Sequence, residues 1–397
     1  MDITHRELVM QRWTVIQQEL MPALQDEIGP LTPKLKKVIQ VLEWVRIEEF
    51  VDSSWCGVGR PPHDRGALAN AFVAKVVLGL STTVALIERL SIDRALRRIC
   101  GFPMWKMLPD EATFSRVFAE FAKEKLAERV HEALVREHLG EALIGHINRD
   151  GTAIEAREKP AANPAKSAAE TGEEKPATEL LIMEAEKPAA ENAVAEKPLT
   201  KKHKRGRPKK GEVREAKTTQ IGQQLKQTLP QMLAELPTRC DRGSKCNAQG
   251  YKVSWNGYKL HIDTADCGVP ISALLTSASV HDSQTAVPLA LMTASRVTNC
   301  YDLMDAAYCS EEIRGHSRSL GHVPLIDHNP RRGEKKPFAP HEQVRYKERT
   351  QAERTNARLK DEFGGNNIRV RGPAKVMAHL MFGILVLSAD QLMRLMI

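Results

Sequence analysis

Three acids in this 397-residue chain stand where carboxylates can do chemistry. Asp150 closes the apolar run Ala142-Leu-Ile-Gly-His-Ile-Asn-Arg149, and Asp305 follows Asn299-Cys-Tyr-Asp-Leu-Met304. Both runs read as strands, and functional residues gather where strands give way to loops. Glu353 lies in Tyr346-Lys-Glu-Arg349-Thr-Gln-Ala-Glu353-Arg-Thr-Asn-Ala-Arg-Leu-Lys360, which lacks Gly and Pro and is rich in helix formers. The composition predicts one continuous helix over 346–360. At about 100° per residue, Tyr346, Arg349, Glu353 and Lys360 fall within an arc of roughly 60°. One carboxylate thus projects among three groups that suit phosphate. Taken alone, the same helix needs no function, because Arg349 and Glu353 make an i,i+4 pair worth a few tenths of a kcal/mol on any surface helix.

The elements that must position these acids differ along the chain. Residues 1–140 show helical periodicity with start signals at Ser81 and at Pro109-Asp110, interrupted at Gly59-Arg60-Pro61-Pro62 and Gly101-Phe102-Pro103. Several short helices in succession permit a helix-turn-helix. Arg89, Arg94, Arg97 and Arg98 are then either DNA-recognition groups or the solvated basic face of a helical bundle. From 160 to 216 Ala, Glu, Lys and Pro dominate and EKPA recurs, a composition that cannot build a core. This linker ends in KKHKRGRPKK, residues 201–210, of which seven are Lys or Arg. The centre, Arg205-Gly206-Arg207-Pro208, resembles an AT-hook, whose extended chain lies in the narrow minor groove of A·T-rich DNA. A generic polybasic segment would also attract phosphate.

Beyond the linker, a polar helix is expected over 220–236. A hairpin follows from Gly257–Asp263 and Pro270–Thr276 around an Asp266-Cys-Gly268 turn, and then a helix opened by His281-Asp282-Ser283. Asp302 competes with Asp305, but a spacing of three puts the two on opposite faces of a strand, so one alone can face a site. His261 and His281 could assist there, although histidines beside strands and caps are more often structural. The apolar stretch 377–397 reads as a packing helix.

The formal charge of +8 suits a polyanionic partner. Seven cysteines with no CxxC pair point neither to a disulfide framework nor to a zinc ribbon, and read as reduced cytosolic thiols. The longest apolar run is about ten residues where a membrane span needs about twenty, so a cytoplasmic, nucleoid-associated protein is expected.

The order Tyr346, Arg349, Glu353, Lys360 resembles the YREK signature of bacterial insertion-sequence DDE transposases. Asp150 in Asp-Gly-Thr and Asp305 in Asp-Ala-Ala-Tyr308 are similar to the upstream acids of that family. Gly257-Tyr-Lys-Leu-His261, Ser279-Val-His-Asp282-Ser and the Arg60-Pro61-Pro62 region extend the likeness over most of the chain outside the linker. The resemblance implies an α/β catalytic domain over 141–397, an RNase H-like mixed sheet flanked by helices. The linker interrupts it, and an all-helical DNA-binding domain over 1–140 precedes it.

It further implies that Asp150, Asp305 and Glu353 are catalytic and hold two Mg²⁺ ions, or Mn²⁺, as hard oxygen donors favour. Tyr346, Arg349 and Lys360 would hold DNA phosphates. The implied activity is cleavage and strand transfer at terminal inverted repeats of double-stranded DNA, with a homodimer joining two ends. A plain RNase H-type nuclease or a non-catalytic DNA-binding descendant is the alternative. The gap of 48 positions from Asp305 to Glu353 leaves no room for the large β insertion of some relatives.

Overall fold

The computed structural model describes residues 5–52, 62–160, 219–246, 249–330 and 334–396. Most of the Gly59–Pro62 break and the whole AT-hook-like segment therefore lie outside the described residues.

The N-terminal region is helical throughout its described part. Helix α1 (His5–Val15) runs through a π turn into α2 (Met21–Ile28), and α3 (Pro33–Val45) starts on Thr32, whose hydroxyl accepts from the Leu35 amide. Helix α4 (Arg65–Val77) starts on Asp64, α5 (Thr83–Ile92) on Thr82, α6 (Arg94–Ile99) on Asp93 and α7 (Glu111–Lys123) on Asp110. In each, the side-chain oxygen accepts a backbone N–H that has no partner inside the helix. The expected cap at Ser81 falls one residue later, on Thr82. Lys125, at φ +52°, separates α7 from α8 (Leu126–Leu139).

The remaining elements are β1 (Leu143–Glu155), α9 (Gln220–Gln224), α10 (Leu229–Glu235), β2 (Asp241–Cys246), β3 (Lys252–Ala265), β4 (Pro270–Ser277), α11 (Ala286–Ala294), β5 (Thr298–Met304), α12 (Glu311–Ser319), β6 (Val323–Ile326), α13 (Pro340–Tyr346), α14 (Thr350–Asp361) and α15 (Pro373–Met396). The single polar helix expected over 220–236 is two. Thr228 and Gln231 form a capping box that starts a new helix, and Pro230 fits its first turn.

The six strands form one mixed sheet, an RNase H-like arrangement flanked by helices. Strand β1 runs antiparallel to β3 on one side and parallel to β5 on the other, and β5 continues parallel to β6. The far edge of β3 is shared, with β2 on Lys252–Gly257 and β4 on Tyr258–Thr264. Gly257 stands at the junction with φ +151°, where a Cβ would lie 2.2 Å from the Ile154 carbonyl oxygen, so only glycine fits.

Helix α15 is apolar on all sides and long enough to cross a membrane, but 83% of its apolar window is buried inside the fold. It packs on α3, α4, α7, α8, α14 and β4. Val376, Leu380, Ile384, Leu385, Val386 and Leu387 have no exposed surface, each worth about 1.5–3 kcal/mol of burial. One continuous core joins the N-terminal helices, the sheet face carrying Leu260 and Ile262, and α15.

Opposite Asp263 on β3 stands Arg149 of β1. Its Nε and Nη2 donate to the two carboxylate oxygens at 2.8 and 2.7 Å, with side chains 2% and 0% exposed. Thr293 of α11 adds a 2.6 Å hydrogen bond to Asp263. A bidentate pair at one rung fixes the β1/β3 register, because a slip of one residue would bury an unpaired charge. Removing one partner of such a pair costs about 3–5 kcal/mol, whereas an apolar replacement of both is often neutral. Arg149→Ala should therefore lower the urea-denaturation free energy by that amount, and Arg149→Met with Asp263→Leu should recover most of it. A loss under about 1 kcal/mol in Arg149→Ala would show that the pair does not set the register.

Candidate active site

Strands β1 and β5 pair in parallel as far as the rung Arg149–Met304, and Asp150 and Asp305 are the next residue of each. Parallel pairing thus delivers two acids side by side. Alternation along β1 turns Asp150 to the face opposite Arg149, toward α14. Strand β1 does not end at the acid but runs on to Glu155, because β3 goes on pairing it after β5 has stopped. Past Met304 the chain turns into a short 3-10 segment, Ala306–Tyr308, capped by Asp305 itself, whose Oδ1 accepts from the Ala307 amide at 2.9 Å.

The segment expected to be one helix over 346–360 begins earlier, at Pro340, and tightens to a 3-10 turn at Lys347–Arg349 between α13 and α14. Tyr346 leaves the surface there, and its hydroxyl donates to the Met304 carbonyl at 3.1 Å. Arg349 reaches the acids. Its Nη2 lies 3.3 Å from Asp150 Oδ1 and 4.0 Å from Asp305 Oδ2, while Nη1 lies 3.2 Å from Glu353 Oε1. One guanidinium therefore touches all three carboxylates. Glu353 remains 61% exposed on the outer side. Lys360, half-buried about two turns further on, senses Asp150 and Glu155 as well as Lys245.

Two residues join this group without having been singled out for it. Asn356 donates to Asp150 Oδ2 at 3.0 Å, so the carboxylate is held both from the 3-10 turn, through Arg349, and from α14. The arithmetic that defines the stripe places Asn356 beside it, and this signal was legible. Asp282 was read as a helix opener. It accepts from Lys259 Nζ at 2.9 Å, and its charge bears on both Asp150 and Asp305. Nothing local in the sequence marks it as part of an acid cluster.

The other candidates fall elsewhere. Asp302 is buried on the opposite face, held by Ser317, Asn299 and His322. His261 is fully buried and shares a hydrogen bond with Thr276. Burial lowers it to about 4, so it is neutral at pH 7. His281 caps the turn before α11 by accepting from the Ser283 amide.

Burial is the largest influence on Asp150 and lifts it to about 6. Arg349 opposes this, and the charges of Asp305 and Asp282 add to it. Asp305 is raised for the same first reason, again opposed by Arg349. Burial pulls Arg349 down, but Asp150, Tyr346, Asp305 and Glu353 outweigh it and hold the guanidinium above its ordinary value. Burial lowers Lys360, and Lys245 adds to that.

Among the described residues, no three His, Cys, Asp or Glu side chains converge closely enough to cage a metal ion. In this arrangement the counter-charge of the acids is the guanidinium. The donor set nevertheless suits a hard divalent cation. It offers carboxylate oxygens alone, Asp150 and Asp305 both within 4.0 Å of one cationic nitrogen, and a third acid, Glu353, paired with the same guanidinium from its exposed side.

Residues 223–388 match the family model of the transposase DDE domain, and residues 23–120 match that of a second transposase domain. The chain belongs to the insertion-sequence DDE transposases. No curated protein and no solved structure matches it. The DDE match takes in Asp305, Arg349, Glu353 and Lys360, whereas Asp150 lies upstream of it, before the linker. Transposases act on DNA, and divalent metal ions serve their DDE domains generally.

An acid raised by the fold makes a testable contribution to stability. Between its ordinary value of 3.8 and about 6, folded Asp150 binds more proton than the unfolded chain does. Stability is therefore lost as pH rises through that window and stays lost above it. Asp150→Asn removes the titrating group. In EDTA at pH 7 the variant should be more stable than the parent by up to about 3 kcal/mol, with the difference closing by about pH 4. Equal stability across pH 4–7, followed by thermal melting, would show that Asp150 is not held above its ordinary value.

Proposed function

We propose that this transposase binds the terminal inverted repeats of its element, cuts them hydrolytically and joins the freed 3′ ends to target DNA. The observation that supports this best is the meeting of Asp150, Asp305 and Glu353 on the one guanidinium of Arg349. Acids gathered at a single cation from β1, from the end of β5 and from α14 are a set that two Mg²⁺ or Mn²⁺ ions could share.

Asp150, Asp305 and Glu353 would hold such ions through their carboxylate oxygens. Such ions, when bound, activate an attacking water or 3′-hydroxyl and stabilise the departing oxygen of an in-line displacement at phosphorus. The protein's own groups do the positioning. Asn356 keeps the Asp150 carboxylate turned toward α14, and the Ala307 amide holds that of Asp305. Arg349, relieved of its acids, presents a planar fork to a phosphate, and Lys360 offers a point charge further along the same helix. Tyr346, hydrogen-bonded at the end of β5, anchors the start of the stripe next to the acids. This is the role the YREK pattern assigns to Tyr346, Arg349, Glu353 and Lys360.

Two chains acting together would hold two ends in a synaptic homodimer. Arg205, Gly206, Arg207 and Pro208, outside the described residues, would add minor-groove affinity for A·T-rich DNA. The cell compartment in keeping with this work is the cytoplasm, at the nucleoid.

The test uses duplexes carrying the repeats that flank the gene, with Mg²⁺, and scores nicking and joining separately. Loss of a metal ligand removes several kcal/mol of transition-state stabilisation, about a thousandfold or more in rate. Asp150→Asn and Glu353→Gln should each lose cleavage by that factor while binding the duplex nearly as the parent does. Unchanged cleavage in either variant would refute the assignment. Nicking without joining by the parent would leave a plain nuclease.

A further inference from the structure

Strands β2 and β3 pair with each other beyond the end of the main sheet, over Asp241–Cys246 and Lys252–Gly257. The alternation of a sheet that covers a core is missing there. Ser244, Lys245 and Cys246 are exposed one after another, and so are Tyr251, Lys252, Val253 and Ser254. Both faces of this two-stranded ribbon therefore meet solvent.

Its root, by contrast, is built firmly. The Trp255 indole lies across Gly243, where a Cβ would come within 2.5 Å of the ring, and Trp255 Nε1 donates to the Tyr258 carbonyl at 3.0 Å. Asp241 is taken up internally, accepting from the Ser279 hydroxyl at 2.6 Å and from the Arg242 amide at 2.7 Å. It is the one acid in 239–254, against Arg239, Arg242, Lys245 and Lys252. All four bases are exposed.

The ribbon is also placed with respect to the acids. Gly257 at its root pairs with Glu155, five residues along β1 from Asp150. At about 3.3 Å per residue the root lies up to roughly 17 Å from Asp150 measured along β1, and Lys252 up to as far again measured along the ribbon. At 3.4 Å per base pair this corresponds to about five to ten base pairs. Lys245 stands near enough to Lys360 for the two ammonium groups to oppose one another, as expected where cations converge on an anion that is not part of the chain.

We infer that the β2–β3 ribbon is a DNA-binding arm that enters the major groove of the duplex about half a turn to one turn from the phosphate held at the acids. The major groove admits a two-stranded ribbon, and exposure on both faces with net positive charge is what such an insertion needs. An apolar protein partner would require a continuous apolar face, which the lysines interrupt. The inference rests on the catalytic reading above for the position of the cut, but not for the contact itself.

The test is binding of a fluorescein-labelled mixed-sequence duplex of about 40 base pairs, in EDTA, as a function of salt. The variant carries Arg242→Gln, Lys245→Gln and Lys252→Gln, all at exposed positions, with its melting temperature checked against the parent. Each lost phosphate contact lowers the slope of log K against log salt by about 0.9. The triple variant should therefore bind tenfold or more weakly near 0.1 M salt, with a slope shallower by about 2–3. Affinity and slope equal to the parent's would overturn the ribbon proposal and leave the catalytic reading standing. A parent that binds no duplex at all would likewise overturn the ribbon proposal, while the catalytic reading stands or falls on the cleavage of repeat-bearing duplexes. Should the triple variant melt early, the single Lys245→Gln variant, with an expected slope change of about 1, decides instead.

Discussion

Carboxylates brought together out of water repel one another, and the architecture of this transposase is arranged around that cost. Asp150, Asp305 and Glu353 converge, with Asp282 close behind, and burial lifts Asp150 and Asp305 above their ordinary range. The charge that makes the cluster tolerable belongs to Arg349, which touches all three acids at once. A guanidinium suits this task, since its planar fork presents separate N–H groups to separate partners and keeps its proton under any ordinary condition. The same planar fork also matches the geometry of a phosphate.

Convergence of this kind depends on registry. Parallel pairing of β1 with β5 brings the two aspartates to adjacent positions, and the buried Arg149–Asp263 pair holds β1 against β3 so that the registry cannot slip. Neighbouring residues 149 and 150 thus face opposite ways, one a charge fully paired in the interior, the other a carboxylate turned toward Arg349 and Asn356. The helix that carries Glu353 and follows directly on Arg349 is seated against the same strands through Asn356 and through Gln351, which donates to the Asp266 carbonyl at 3.1 Å.

A long stretch of chain separates β1 from the strands that pair with it on one side. The chain is tied where it leaves, since Glu158 accepts from the Tyr258 hydroxyl and the Gly372 amide, and its own carbonyl accepts from the Cys240 thiol. Cys240 and Tyr258 belong to the stretch that follows the insertion, so both sides of it are fastened to one another. Strands separated by about a hundred residues in the chain can then pair as neighbours, and the first residues after the return extend the sheet into the basic ribbon.

Much of this was readable in the residues themselves. Caps at Asp110 and Thr32, the hairpin around Gly268 and the strand before Asp305 follow from local rules, because a side-chain oxygen one step before a helix or a glycine in a tight turn acts within a few residues. The stripe of Tyr346, Arg349, Glu353 and Lys360 was legible for the same reason, as helical geometry is periodic, and Asn356 could have been read with it. The 3-10 turn at Lys347–Arg349 could not, since a contact 42 residues away, from Tyr346 to the Met304 carbonyl, accompanies it. Nor could the continuation of β1 past Asp150, which β3 imposes from across a long insertion, or the exposure of both faces of the ribbon. Asp282 and Arg349 acquire their meaning only from what lies beside them in space. The sequence by itself determined which residues could carry charge and on which local face. Only the tertiary structure decided which charges meet, because Coulomb forces act through distances that the order of residues along the chain does not contain.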